Sequence, residues 1–188
     1  MAVTPFASVD RSTLRWLRTR EHPTAFALLS GDATVATLEW AAKGASLAVF
    51  RSANGEWTLK RGGFLNPHVT ARSAETTAAR LSVHLNHHQV DFAGGRSYRF
   101  HRAGMLVPAW QVTTPGGKDV LHVEPAREGR RLTAGAVVVA PDAVDLPDLL
   151  LLVALSWYFI VLAWFEDEAV ETLAPFEGPD APAALSSR

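Results

Sequence analysis

The chain has 188 residues, and 48% of them are hydrophobic against 20% charged, which excludes a chain disordered throughout. It carries 18 Lys and Arg against 19 Asp and Glu, a net charge of −1 that argues against a dedicated nucleic-acid binder. With no cysteine, disulfide scaffolds, thiolate nucleophiles and Cys-ligated zinc are all excluded.

Met1 to Asp10 has neither the basic nor the apolar region of a secretory signal, so the expected location is cytoplasmic. The near-neutral total hides a division. Residues 1–140 hold 17 basic and 10 acidic residues, net 17 − 10 = +7. Residues 141–188 hold Arg188 against 9 acids, net 1 − 9 = −8. A basic body attracts anionic surfaces. The plainer reading is that the acidic tail folds back on the body or that both are solvated.

Residues 1–24 read as an arm or a short helix. Asp10 or Ser12 would cap a helix over 9–21, Leu14 and Leu17 would share a face, and His22-Pro23 would end it. From Ala25 the text changes. Turn signals such as Ser30-Gly31-Asp32, Lys43-Gly44, Asn54-Gly55, Gly94-Gly95 and Pro115-Gly116-Gly117 punctuate short runs of period two. Trp57 and Leu59 alternate with polar residues, as do Tyr98 and Phe100, and Trp110 and Val112 share a face. This pattern predicts an all-β domain of ten to twelve strands.

An internal repeat runs through it. Trp57–Pro67 lies on Tyr98–Pro108 at a constant offset of 98 − 57 = 41 residues. Both copies read aromatic, x, apolar, x, Arg, x, Gly, apolar, Leu, x, Pro, which fits two related halves of one closed sheet.

Leu149 to Phe165 is apolar throughout except for Ser156. Asp145-Leu146-Pro147-Asp148 before it reads as a helix start, so a helix over about 146–173 is expected. Apolar on all faces, the run must be enclosed by protein or by lipid. Its 17 residues span ~25 Å against a hydrocarbon core of ~30 Å, and acids rather than Lys or Arg flank it. A barrel of eight strands is filled by its own side chains, whereas one of eleven or twelve is wider and needs a filler. The expectation is therefore one domain over 25–173, a closed antiparallel barrel of about 12 strands around a buried axial helix. The Pro/Ala-rich acidic tail 174–188 is expected to be disordered. The alternative is a β-domain tail-anchored through 149–165.

About twelve short strands closed around a hydrophobic C-terminal helix resemble the tubby C-terminal-like superfamily, which includes LURP-one-related proteins and phospholipid scramblases. Trp57–Pro67 with its continuation to Ser73, Ser97–Glu124 and Leu146–Phe165 carry the resemblance. It implies a barrel around a central helix and raises membrane lipids as a ligand class. The calcium-loop pattern and cysteine cluster of scramblases are missing, which argues against scrambling.

Catalytic motifs are absent: there is no phosphate loop, nucleophile elbow or zinc helix. No enzyme activity and no cofactor are expected. His84, His87 and His88, with His68 or His101, are candidate metal ligands, but the plain reading is a solvated hairpin around Asn86, and no metal site is assigned. The six tryptophans read as core rather than as a stacking platform. Lys60, Arg61, Arg72, Arg99 and Arg102 form the best basic constellation, with Arg61 and Arg102 equivalent in the repeat. Guanidinium forks at strand ends can hold an anionic headgroup. They can equally cover apolar edges and pair with Glu56 or Asp119. The function expected is a non-enzymatic binding module for an anionic lipid or membrane surface. The alternative is a structural or protein-interaction domain with an unknown protein partner.

Overall fold

A computed structural model describes residues 3–63, 65–74, 76–84, 88–104 and 109–173, with side chains described through Trp164. The tail expected to be disordered, 174–188, lies outside the described residues. Twelve strands follow in chain order: β1 (Thr13–Arg18), β2 (Ala25–Ser30), β3 (Ala33–Trp40), β4 (Leu47–Ser52), β5 (Gly55–Gly62) and β6 (His68–Ser73). The ring continues with β7 (Thr76–Val83), β8 (His88–Phe92), β9 (Ser97–Ala103), β10 (Ala109–Thr113), β11 (Asp119–Glu128) and β12 (Arg131–Val139). One helix, α1 (Leu149–Leu173), ends the described chain. Each strand pairs antiparallel with the next, and β12 returns to β1, with Leu14 opposite Val137, so the sheet closes and has no edge.

The first element departs from expectation. Residues 13–18 form a strand, not part of a helix, and the barrel begins at Thr13 rather than Ala25. The physical reason is visible in burial: Leu14 and Trp16 are buried at period two, while the intervening Arg15 is not. Leu14 and Leu17 stand at a helical spacing, but Leu14 and Trp16 share the buried face of a strand.

The repeat also resolves differently. Its two copies, β5–β6 and β9–β10, lie four strands apart in a ring of twelve, a third of the circumference rather than half. A third unit exists. Three of the register shifts fall at Leu28/Leu29, Ala71/Arg72 and Val112/Thr113, each in the second hairpin of a four-stranded unit, while a further one at Ala126/Arg127 between β11 and β12 stands outside this pattern. The residues skipped at those three are Val35, Ala78 and Val120. Such bulges bend the wall and sharpen its twist, which closure of a sheet requires.

The tight turns beside these bulges place residues 31, 74 and 117, spaced by 43, in the left-handed region, with φ of 55°, 50° and 84°. Two are glycine and the middle one is Ala74, an exposed residue. A Cβ in that conformation costs roughly 1 kcal/mol. Ala74→Gly is therefore expected to stabilise the protein by about 0.5–1 kcal/mol and raise Tm by roughly 1–3 °C in thermal unfolding. An unchanged or lower Tm would contradict the strain assigned to this turn.

From Leu149 to Leu162, α1 is apolar apart from Ser156, and every side chain except the partly buried Phe159 is buried. Leu152, Val153, Ala154 and Leu155 each have 0% exposure, and four successive positions at 3.6 residues per turn reach round the whole circumference. Its first backbone bond runs from Leu152 N–H to Asp148 C=O at 2.9 Å, placing Asp148 at the N-cap position. Three consecutive side chains meet three separated parts of the wall. Trp157 stacks on Trp16 of β1 with ring centroids 5.9 Å apart, and Tyr158 stacks on Trp40 of β3 at 5.6 Å. Phe159 packs edge-on against Phe100 of β9 at 5.5 Å. No helix among the described residues is long and apolar enough to cross a membrane.

Candidate functional site

The barrel has two ends. At the near end, where α1 begins, cations are met by acids. Arg11 pairs with Asp145 at 2.8 Å, Lys118 with Asp142 at 2.6 Å, and Arg51 with Glu56 at 2.8 Å. Arg96 forms a two-pronged contact with Asp148 at the helix start. The hydrogen bond and charge of Lys118 hold the Asp142 carboxyl below its usual range.

The far end is different. It gathers the β1–β2, β3–β4, β5–β6, β7–β8, β9–β10 and β11–β12 connections, and Trp164 of α1 reaches it, donating its indole N–H to Arg130 C=O at 3.0 Å. Basic residues are frequent in these connections. Glu39 stands near the end of β3, the sequence of α1 beyond Trp164 carries Glu166, Asp167, Glu168 and Glu171, and Glu21 and Glu128 flank the β1–β2 and β11–β12 turns. Between them, residues 41–48, 60–68, 82–88 and 102–109 contain no Asp or Glu at all. This sector runs from the β3–β4 hairpin round to the end of β9 and carries Lys43, Lys60, Arg61 and Arg102.

The five basic residues singled out in the sequence separate accordingly. Lys60 projects from the exposed face of β5, next to Leu47 of β4 in register. Arg61 shares the face of buried Leu59 and is half-buried. Its backbone N–H donates to the Tyr158 hydroxyl at 2.9 Å. Its side chain borders a cleft of about 100 Å³ lined by Val69, Val83, Phe159, Leu162 and Ala163. Arg102 is exposed at the end of β9, opposite Trp110. Arg72 belongs to the near end of β6, and Arg99 lies on the outer face of β9 towards that end. Arg61 and Arg102 are four strands apart, roughly 19 Å along the wall. They cannot grip one headgroup together, so they are separate contacts on a broad surface. The acids named as structural partners are engaged elsewhere: Glu56 with Arg51, and Asp119 with Gln111 at 2.5 Å.

Burial at this end tunes one hydroxyl. Tyr158 also donates to Ser46 C=O, and burial pushes its pKa up to about 12, with the Arg61 N–H and charge opposing the shift. His88 packs against Phe159 at 4.5 Å and within about 6 Å of Phe100 and Trp110, so it sits among aromatics rather than on a solvated tip. His87 lies outside the described residues. Among the described residues, no three His, Asp or Glu side chains gather as a metal site. Trp16, Trp40 and Trp157 are fully or almost fully buried.

Two features of this end escaped sequence reasoning. Lys43 was visible only as part of a turn, and Leu65 only as a repeat position. Leu65 is 86% exposed, the most exposed large apolar residue described. Neither spacing nor periodicity tells which turns share an end of the barrel. Strand order supplies that.

Comparison with known proteins finds no matching family model, no matching curated protein and no matching solved structure.

Proposed function

We propose that α1 fills the barrel and that the whole is a non-enzymatic, tubby-like module which docks its far end on an anionic membrane surface. The filled barrel is supported by burial on all sides of α1 and by its contacts with β1, β3 and β9. A protein-filled lumen leaves the outer surface and the rims as places to bind. The single observation that supports the membrane reading is the gathering of Lys43, Lys60, Arg61 and Arg102 in connections and strand ends at one end of the barrel. Cations spread over a broad surface suit a charged sheet of headgroups better than one small anion, since each contributes about 1 kcal/mol near such a surface.

The test is sedimentation with phosphatidylcholine vesicles, with and without phosphatidylserine, across a salt series. Wild-type protein should sediment with the anionic vesicles only, and binding should weaken as salt screens the field. Arg61→Ala with Arg102→Ala should weaken binding roughly ten- to thirtyfold, while thermal unfolding confirms an intact fold. Equal binding to neutral vesicles, or an unchanged double variant, would overturn the reading. No vesicle binding at all would return the protein-interaction alternative to first place.

A further inference from the structure

On the outer wall, towards the near end, β10, β11 and β12 border an open trough of about 370 Å³. Leu121, Val138, Ala140 and Pro141 give it an apolar surface. Val138 is 52% exposed and stands in register with His122 of β11, which pairs in turn with Gln111 of β10. The bulge at Val120 builds the polar side. In a regular strand Asp119 and His122, three positions apart, would point to opposite faces. Here Val120 and Leu121 are both buried, and Asp119 and His122 border the same trough.

The charge of Asp119 is left unbalanced. Its neighbour Lys118 reaches Asp142 at 2.6 Å, and His122 reaches Glu124 at 3.0 Å. Arg99 stands two strands from Asp119, across Thr113, and among the described residues no ion pair joins the two. Asp119 is held instead by a neutral group, the Gln111 amide, which donates to it at 2.5 Å. A carboxylate offers about four lone-pair sites, so this one donor leaves most of them and all of the charge. The bulge itself does not call for an acid. The other two units share its register, and they carry Thr34 and Thr77 where this one has Asp119, and Ala27 and Thr70 where it has Gln111.

We infer that this trough binds an organic ammonium with a compact apolar body. The apolar surface around Val138 covers the hydrocarbon part, and the ammonium donates to the Asp119 carboxylate, which the Gln111 amide fixes in place. The volume lies at the small end of ligand sites, which start at about 300 Å³, and so suits one ring or a branched chain. An anion of the same shape would meet repulsion at Asp119, so charge selects as well as shape. The site is separate from the basic rim and stands whether or not that rim meets a membrane.

Phenethylammonium is the probe. Phenylacetate carries the opposite charge on a similar body, and ethylammonium lacks the ring. Amide NMR of the isotope-labelled full chain should show phenethylammonium shifting Asp119, His122, Val138 and their neighbours, with a Kd of roughly 1–10 mM, ordinary for so small a molecule. Phenylacetate and ethylammonium should each bind roughly tenfold more weakly. Asp119→Asn should weaken phenethylammonium roughly fivefold and Val138→Ser roughly threefold, while thermal unfolding shows both variants folded. Equal binding of phenylacetate, or an unchanged Kd in Asp119→Asn, would overturn the ammonium assignment. Shifts confined to other parts of the barrel, or none at about 20 mM probe, would overturn the site.

Discussion

Gly135→Ala should destabilise the protein by on the order of 3 kcal/mol, lowering Tm by roughly 6–12 °C in thermal unfolding. Gly135 lies in β12, opposite Trp16 on one side and Pro125 on the other. A methyl group there would stand 2.2 Å from Cζ3 and 2.5 Å from Cη2 of Trp157, less than any real carbon contact. The indole has nowhere to go. It has 0% exposure, lies stacked on Trp16 and meets the Phe26 ring edge-on at 5.3 Å. The missing side chain is what lets α1 approach the wall this closely. The proof is in a cycle. Trp157→Leu alone should be costly, because it leaves a cavity. Adding Gly135→Ala to it should cost less than about 1 kcal/mol, because the obstructing ring is gone. Equal costs in both backgrounds would show that Gly135 serves β12 itself and not the helix.

Tyr158→Phe should cost about 1–2 kcal/mol and change how stability responds to alkali. The substitution keeps the ring on Trp40 and deletes only the hydroxyl that accepts from Arg61 N–H and donates to Ser46 C=O. Part of the loss is cushioned, since Arg61 N–H also reaches Ser46 C=O at 3.2 Å. The sign of the pH effect follows from the raised pKa. An unfolded Tyr158 loses its proton near the ordinary value of 10.0, whereas the folded one holds it to about 12. Between these values the unfolded state binds fewer protons, so stability falls as pH rises. Below pH 10 the contribution is complete, and above the folded pKa it is gone. Denaturant unfolding of wild type should therefore lose stability over that window faster than Tyr158→Phe does. Tyr98, also raised chiefly by burial, contributes in the same direction to both proteins and leaves the difference intact. Parallel curves would remove Tyr158 from the buried network.

Most of the architecture was legible in the sequence because its signals are local. Alternation at Trp57–Leu59 and Tyr98–Phe100 follows from the pleat, and turns at Gly31, Gly95 and Gly117 follow from positive φ. The all-apolar run from Leu149 marked the helix, which begins at that residue. What failed needed long-range information. β1 is a strand because β12 and β2 bind it on either side, and Trp16 lies 119 positions before its register partner Gly135, so the two meet only when the barrel closes. The third repeat unit was hidden for a similar reason. Its likeness to the other two lies in bulge and turn geometry, with Gly31 matched to Ala74, and not in shared side chains. The candidate site was half legible. The Arg-x-Gly element of the repeat picked out Arg61 and Arg102. Residue type alone also picked out Arg72 and Arg99, which strand direction sends towards the other end.

The proposals that α1 fills the barrel and that the rim meets the membrane are tested together by alkaline extraction of the full chain sedimented with phosphatidylserine-containing vesicles at low salt. The protein should be monodisperse without detergent before vesicle addition, pellet with the vesicles, and be released by the alkaline wash. Protein that stays in the washed pellet with the lipid would mean that residues 149–165 have entered the bilayer, and both the filled barrel and the rim contact would be wrong.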